Sequence, residues 1–425
     1  MSLTKTGYKK RVIDDKIKGL VKTFGAVSIV GPKWCGKTWT ALRHANSVTY
    51  LMDPADNYSN RTRALLNPTL ILQGKQPQLI DEWQEVPAIW DAVRFAVDQT
   101  PEAGQFLLTG SATPPKTAPL HSGAGRFARI KMMPMTLFES GDSTGKVSLE
   151  ALFNDEKFAP SNADISLEDL IFLTARGGWP VNIGNYSKES LQIPFQYIDS
   201  VIANESFASD NPRRNPAKLK LLLRSLARNN TTIMKDSTIY ADMTNDKEES
   251  ISRQNIAVYL DDLMKIFLIE EIPGWAPLLR SKTRIRMSPK KIFVDPSLAI
   301  AALGATPQKL LKDLNTFGLM FEGLCLRDLS VYAEVLNGSL YHYRDNAGLE
   351  VDAIIEIPGT DYGAFEIKLG AHRVEEGAKT LTRFRKKMTE AGAEAPKFLA
   401  VITGGGTAYI REDGIAVIPI NSLRP

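Results

Sequence analysis

Gly31-Pro32-Lys33-Trp34-Cys35-Gly36-Lys37-Thr38 fits the pattern G-x-x-x-x-G-K-[S/T] at every fixed position. In such a loop the glycines let backbone N–H groups close round phosphate oxygens, and the following helix adds the positive end of its dipole. The spacing predicts that these eight residues cradle the phosphates of ATP. Lys37 is expected to reach the β- and γ-phosphates, and the Thr38 hydroxyl to hold Mg²⁺. The flanks agree: Gly25–Val30 (GAVSIV) reads as a short buried strand and Thr38–Ala45 as a helix. Strand, loop and helix in that order are the setting the motif requires.

Further along, Gln78-Leu-Ile-Asp81-Glu82 reads as a strand ending in two acids. Asp81 there is expected to hold Mg²⁺ through a water, and Glu82 to orient and polarise the attacking water. Phe106-Leu-Leu-Thr109-Gly110-Ser111 is a buried strand ending in hydroxyls, so Thr109 and Ser111 are expected near the γ-phosphate or the water. Arg126 and Arg129, in GAGRFARI, are the candidates for an arginine that stabilises transition-state charge. An arginine supplied in trans would require a homo-oligomer.

Other strand candidates are Val48–Leu51 and Thr69–Leu72, with helices at Ile89–Asp98 and along the apolar stripe Val12, Ile13, Ile17, Leu20, Val21, Phe24. Alternation of strands and helices implies an α/β domain with a parallel sheet. It is placed at 1–185, near the breaker cluster Gly177-Gly178-Trp179-Pro180.

The middle segment, 190–300, is helical in pattern. Leu219, Leu221, Leu222, Leu223 and Leu226 fall in one helix, and Ile256, Tyr259, Leu260, Leu263, Ile266 and Phe267 form another apolar stripe. A strand FLIEEI, the basic loop RSKTRIRMSPKK and a strand KIFV follow, which suggests a winged helix. From 211 to 295 there are 16 Lys and Arg against 10 Asp and Glu, a net of +6, whereas the whole chain carries +4. Arg280, Lys282, Arg284, Arg286, Lys290 and Lys291 lie within twelve residues that hold no acid. Such a wing suits a phosphate backbone, and Arg253, Gln254 and Asn255 open a helix fit for a major groove. Nucleic acid is therefore an expected partner, DNA more than RNA.

The remaining 305–425 reads as an α/β domain of its own. In FEIKL, period-2 alternation puts Glu366 and Lys368 on one face; in LEVDA it puts Glu350 and Asp352 on one face. The turn Pro358-Gly359-Thr360-Asp361 would fold the two strands into a hairpin, so that Asp352 and Glu366 meet with Lys368 beside them. Glu322, in GLMFEGLCLRDL on the preceding helix, is the natural third carboxylate. Two or three carboxylates and a lysine suit Mg²⁺-assisted phosphodiester hydrolysis, in which Lys368 would orient or help deprotonate the attacking water.

Composition sets the frame. Hydrophobic residues are 43% and charged residues 24% of 425, ordinary for a globular chain with real cores. Two cysteines, Cys35 and Cys325, imply no disulfide framework, so a reducing cytoplasmic setting is expected. No run of about 18 apolar residues occurs, and no membrane span is expected. His44, His121, His342 and His372 are scattered without metal-ligand spacing.

With these residues in view, the chain resembles a bacterial and archaeal family, the AAA-type ATPases that carry a C-terminal domain of unknown function. The resemblance rests on GPKWCGKT, on LIDEWQ, on LLTGSA followed by GAGRF and MTLFES, and on YRDNAGLEVDAIIE with FEIKLG. It implies an AAA-type core, a winged-helix-like middle and a C-terminal domain similar to PD-(D/E)XK nucleases. It also implies ATP and Mg²⁺ as cofactors, and matches at Glu322, Asp352, Glu366 and Lys368, with Val351 where the motif's name has proline. Two functions follow: an ATP-driven nucleic-acid enzyme with a nuclease-like end, or a nucleotide-dependent regulatory switch whose C-terminal domain binds a partner without catalysis.

Overall fold

The computed structural model describes residues 3–112, 122–203, 215–244, 252–277, 287–359 and 362–425. The chain divides into two compact units: Met1–Pro134 with Trp179–Val181 and Lys265–Phe267, and Met135–Gly178 with Asn182–Met264 and Leu268–Pro425.

The first unit is built on five short strands: β1 (Ala26–Val30), β2 (Ser47–Tyr50), β3 (Gln78–Asp81), β4 (Phe106–Gly110) and β5 (Phe127–Lys131). They form one sheet in the order β2-β3-β4-β1-β5, with every pair parallel. Parallel strands need both faces covered, which explains why β1 and β4 are buried along their whole length. The core packs Ile80, Phe106 and Leu108 against Ile89 and Val93 of the helix Ala88–Gln99. Each such side chain contributes roughly 1.5–3 kcal/mol on burial. The order places β4 between β1 and β3, so the strand ends that carry the loop, Thr109 and Asp81 lie along one edge.

Two elements differ from the sequence reading. Thr69–Leu72, expected as a strand, lies in a 3₁₀ turn over Pro68–Ile71. Asn67 caps it by accepting the Thr69 N–H at 3.0 Å, and Pro68 at the first position pre-sets the turn. The segment FARIK, read only as a carrier of arginines, is the edge strand β5.

The second unit holds a seven-stranded mixed sheet. Its strands are β7 (Ser161–Ala163), β10 (Ser339–Arg344), β11 (Glu350–Glu356), β12 (Tyr362–Lys368), β13 (Phe398–Thr403), β14 (Gly406–Ile410) and β15 (Ala416–Pro419). They are ordered β10-β11-β12-β13-β15-β14-β7. Strands β11 and β12 pair antiparallel, as the hairpin reading expected, although Thr360 and Asp361 of its turn lie outside the described residues. Val351, Ile354, Val401 and Leu399 bury one face against Leu381 and Phe384 of the helix Val374–Glu390. The long helix Leu314–Val335, nearly all apolar on its buried side, also belongs to this unit.

Strand β7 pairs with β14, and a two-residue strand β6 (Val147–Ser148) pairs with β16 (Leu423–Arg424). Residues 135–178, read with the first domain, belong by compactness to the second unit, where these strands pair with the end of the chain. Helices Pro216–Arg228 and Arg253–Lys265 stand where the leucine stripes put them. An antiparallel pair follows, β8 (Ile269–Ile272) with β9 (Lys290–Phe293). The loop that would make it a wing, including Arg280, Lys282, Arg284 and Arg286, lies outside the described residues. Among the described residues, no helix is long and apolar enough to cross a membrane.

Candidate functional site

The loop Gly31–Thr38 leaves the end of β1 and enters the helix Lys37–His44. Two glycines are required by geometry. A Cβ on Gly31 would lie 2.1 Å from the Met132 carbonyl oxygen, and Gly36 holds φ +101°, which side-chain-bearing residues rarely adopt. Gly31, Pro32, Cys35 and Lys37 are buried, Gly36 and Thr38 half-buried, and Lys33 and Trp34 exposed. The Lys37 ammonium folds over the loop and donates to the Pro32 carbonyl at 2.7 Å.

The carboxylate at the end of β3 closes the site. Asp81 Oδ1 accepts from the Thr38 hydroxyl at 2.7 Å and from the Thr109 hydroxyl at 2.6 Å. Thr109 reaches it because β4 is the strand between. Burial pushes the Asp81 carboxyl above its ordinary range, partly offset by these two hydroxyls. Glu82 has φ +57°, an unfavourable backbone state for a non-glycine residue, worth on the order of 1–3 kcal/mol. That turn aims its carboxylate at Ser111, whose hydroxyl donates at 2.8 Å, and at the Gln84 amide. Gln84, the last residue of LIDEWQ, was given no role by sequence reading; it sits two residues beyond Glu82.

Two arginines are placed differently from one another. The carbonyl of Arg126 accepts from Ala26 N–H, at the start of β1, so Arg126 lies about four strand residues, ~13 Å, from the edge that carries the loop. Its guanidinium pairs with Asp98 at 2.7 Å. Parallel pairing with β1 thus fixes Arg126 at the edge of the sheet opposite the loop. Arg129 is exposed, opposite Ser28 in mid-strand.

Arg11 is a second residue that sequence reading left without a role. Its guanidinium is buried and donates to the Cys35 carbonyl and the Met133 carbonyl, each at 2.8 Å. It thus ties the loop to the segment after β5. Asp14, which accepts from Tyr8 and from Arg11 N–H, orders the same segment.

In the second unit, the hairpin register sets Ala353 opposite Phe365, which brings Asp352 and Glu366 together. Lys368 Nζ lies 2.7 Å from Glu366. Asp352 Oδ2 accepts from Ile367 N–H at 2.7 Å. Burial pushes Glu322 up to about 7 and Glu366 up to about 8, the latter aided by the Asp352 charge. The unexpected member is Lys290. Read as part of a basic wing, it is instead buried, 2.8 Å from Glu322 and 3.9 Å from Asp352. Its neighbour Lys291 pairs with Glu271 at 3.5 Å. Among the described residues, no group of three or more His, Cys, Asp or Glu stands in an arrangement that holds a metal ion. The three carboxylates are taken up by lysines, so the residues as placed do not fit the Mg²⁺ site that the resemblance implies.

At the first unit the fit is better. Thr38 and Asp81 offer hard oxygens side by side at the end of a loop that tolerates no Cβ at Gly31, which suits Mg²⁺ beside a nucleotide. A parallel sheet with a glycine loop after β1 and a paired acid at the end of β3 defines a P-loop domain. Residues 23–140 match a family described as AAA domain. Residues 167–309 match a domain of unknown function (DUF8612), and 317–423 another (DUF4143).

The chain is similar to an uncharacterized protein of Mycobacterium bovis, Mb2031c, 24% identical over 347 residues, which are 80% of this chain and 70% of the relative. An uncharacterized protein of Mycobacterium tuberculosis, Rv2008c, is similar to the same degree. Among solved structures, the Walker-type ATPase PABY2304 of Pyrococcus abyssi is similar at 12% identity and a TM-score of 0.41, covering 71% of this chain and 99% of that one. The Aeropyrum pernix ORC1 protein, solved in complex with DNA, is similar at 11% identity and a TM-score of 0.25, with 72% and 96% covered.

Proposed function

We propose that this chain is a Mg²⁺-dependent ATPase and that its second unit responds to nucleotide state as a regulatory, non-cleaving module. The observation that carries the first part is the Asp81 carboxylate held between the Thr38 and Thr109 hydroxyls at the mouth of the loop. The loop N–H groups bind the phosphates, and Lys37 exchanges the Pro32 carbonyl for their oxygens. Thr38 and Asp81 would hold Mg²⁺, which when bound neutralises charge on the phosphates. Glu82 orients the attacking water and takes its proton, once it leaves Ser111 and Gln84. Exposed Arg129, or Arg126 acting on a neighbouring copy, is the candidate for the stabilising arginine.

Arg11 positions the loop. Arg11→Ala is expected to raise the KM for ATP about tenfold, the equivalent of losing one charge-assisted hydrogen bond, with a smaller change in kcat. Steady-state kinetics beside a thermal melt decide it: a fall in kcat alone, or in melting temperature alone, would remove Arg11 from this role.

For the second unit, Asp352, Glu366 and Lys368 on one face support the nuclease reading, whereas Lys290 lodged between Glu322 and Asp352 supports the switch. We adopt the switch. A DNA partner remains the expectation, supported by Arg253 and Gln254, both exposed at the start of their helix. ATP hydrolysis measured with and without duplex and single-stranded DNA tests it: turnover raised severalfold is expected, and turnover indifferent to both would redirect the search to a protein partner.

A further inference from the structure

Three carboxylates of the second unit face one another from three elements: Glu322 from the helix Leu314–Val335, Asp352 from β11 and Glu366 from β12. A fourth element, β9, sends Lys290 among them. Its ammonium lies 2.8 Å from Glu322 Oε1, 3.4 Å from the Asp352 main-chain oxygen and 3.9 Å from Asp352 Oδ1. Only 7% of the side chain is exposed. An ammonium has three donors and one charge, and here it finds three oxygens of two residues.

Lys290 is not there by the accident of a loose loop. Strand β9 pairs with β8 from Ile269 to Ile272, and Phe293 N–H donates to the Asn230 side chain at 3.1 Å. The backbone that delivers the ammonium is thus held on two sides. On the far side of the cluster Lys368 binds Glu366, whose side chain is buried. Two lysines thus face three carboxylates, so even with every carboxylate ionised the cluster carries a single net negative charge. A divalent ion entering beside Lys290 would meet a buried like charge, and would need Glu322 and Asp352 released from it.

We propose that Lys290 is the resident cation of this cluster and keeps divalent ions out of it, so that the second unit presents a metal-free charge cluster where a Mg²⁺ site would be looked for. The inference rests on reading the second unit as non-cleaving, and leaves ATP turnover by the first unit untouched.

The test is Mn²⁺ binding to the full, nucleotide-free chain, read by electron paramagnetic resonance of the free ion. Wild type, Asp352→Asn, Lys290→Met and the Lys290→Met/Asp352→Asn double variant are compared; any Mn²⁺ at the P-loop is common to all four. Wild type and Asp352→Asn are expected to bind equal amounts. Lys290→Met is expected to gain one equivalent, and the double variant to lose it again. Mn²⁺ should also raise the melting temperature of Lys290→Met while leaving that of wild type unchanged in this unit.

One equivalent bound by wild type and absent in Asp352→Asn would overturn the proposal, as would a folded Lys290→Met that gains nothing. Should Lys290→Met fail to fold, Lys290→Gln replaces it, and the comparison of wild type with Asp352→Asn still decides whether the native cluster excludes the ion. ATP hydrolysis by the same variants is measured separately. Its absence in wild type would count against the ATPase reading, and its persistence beside a wild-type Mn²⁺ site would count against this inference alone.

Discussion

Lys37→Ala is expected to lower ATP turnover by about 10²–10³-fold, the cost found when a preorganised donor to developing charge is removed. The geometry gives the reason. Lys37 is buried, and its ammonium spans the loop to the Pro32 carbonyl at 2.7 Å. It is therefore already held over the cradle, with a short rotation needed to reach phosphate oxygens, and no neighbouring lysine of the loop is placed to replace it: Lys33 is exposed. Phosphate release with saturating ATP and Mg²⁺ measures the effect. A variant that keeps a tenth or more of wild-type turnover while remaining folded would remove Gly31–Thr38 from the reaction. Binding of a fluorescent ATP analogue separates the two losses: weaker binding with residual turnover points to ground-state contacts, and near-normal binding without turnover to the transition state.

The second large effect concerns stability. Arg327→Met is expected to destabilise the second unit by about 3–5 kcal/mol, because breaking a buried ion pair leaves uncompensated charge. Arg327 donates to Asp295 at 2.7 Å and to Asp328 at 2.7 and 2.9 Å, and all three side chains are essentially inaccessible to water. The two aspartates do further work. Asp328 accepts Leu137 N–H at 3.0 Å, and Asp295 accepts Gly178 N–H and Ser297 N–H, each at 3.0 Å. The triad is thus what fastens the ends of segment 135–178 to the helix Leu314–Val335 and to the helix Pro296–Leu303. Burial already pushes the Asp328 carboxyl up to about 6, and loss of the guanidinium would push it further. Urea unfolding followed by near-ultraviolet circular dichroism reads the change. Arg327→Met/Asp328→Asn should recover part of the loss; a double variant no more stable than the single, or a single variant within 1 kcal/mol of wild type, would contradict the role given to the triad.

Much of the first unit was legible from local chemistry. A phosphate loop is a contiguous segment whose backbone does the binding, so its pattern survives in the sequence as glycines at fixed spacing, and Gly31 and Gly36 stand where a Cβ is not tolerated. The strand before it is a short, continuous apolar run, and the helix after it completes the setting that the loop requires. The ends of β3 and β4 were readable for the same reason, since Asp81, Glu82, Thr109 and Ser111 follow apolar runs directly. The 3₁₀ turn at Pro68–Ile71 was not, because so short a run, with Leu70, Ile71 and Leu72 in succession, carries no period, and the capping Asn67 lies outside it.

The second unit shows the limit. Alternation along β11 and β12 put Asp352, Glu366 and Lys368 on one face, and the antiparallel register brought them together as expected. Charge along the chain, however, assigned Lys290 to a surface wing, since a run of lysines and arginines without acids has the composition of a solvated loop. Only tertiary structure, by pairing β9 with β8, turned that lysine inward to Glu322. Likewise nothing local tells residues 147–148 and 161–163 to pair with strands more than 240 residues away. By itself the sequence determined the phosphate loop, its acid and the hairpin, because each is made by neighbours in the chain. The tertiary structure decided which cation the carboxylates hold, where the units divide and which edge Arg126 reaches, because backbone pairing and burial between distant segments leave no period for the sequence to display.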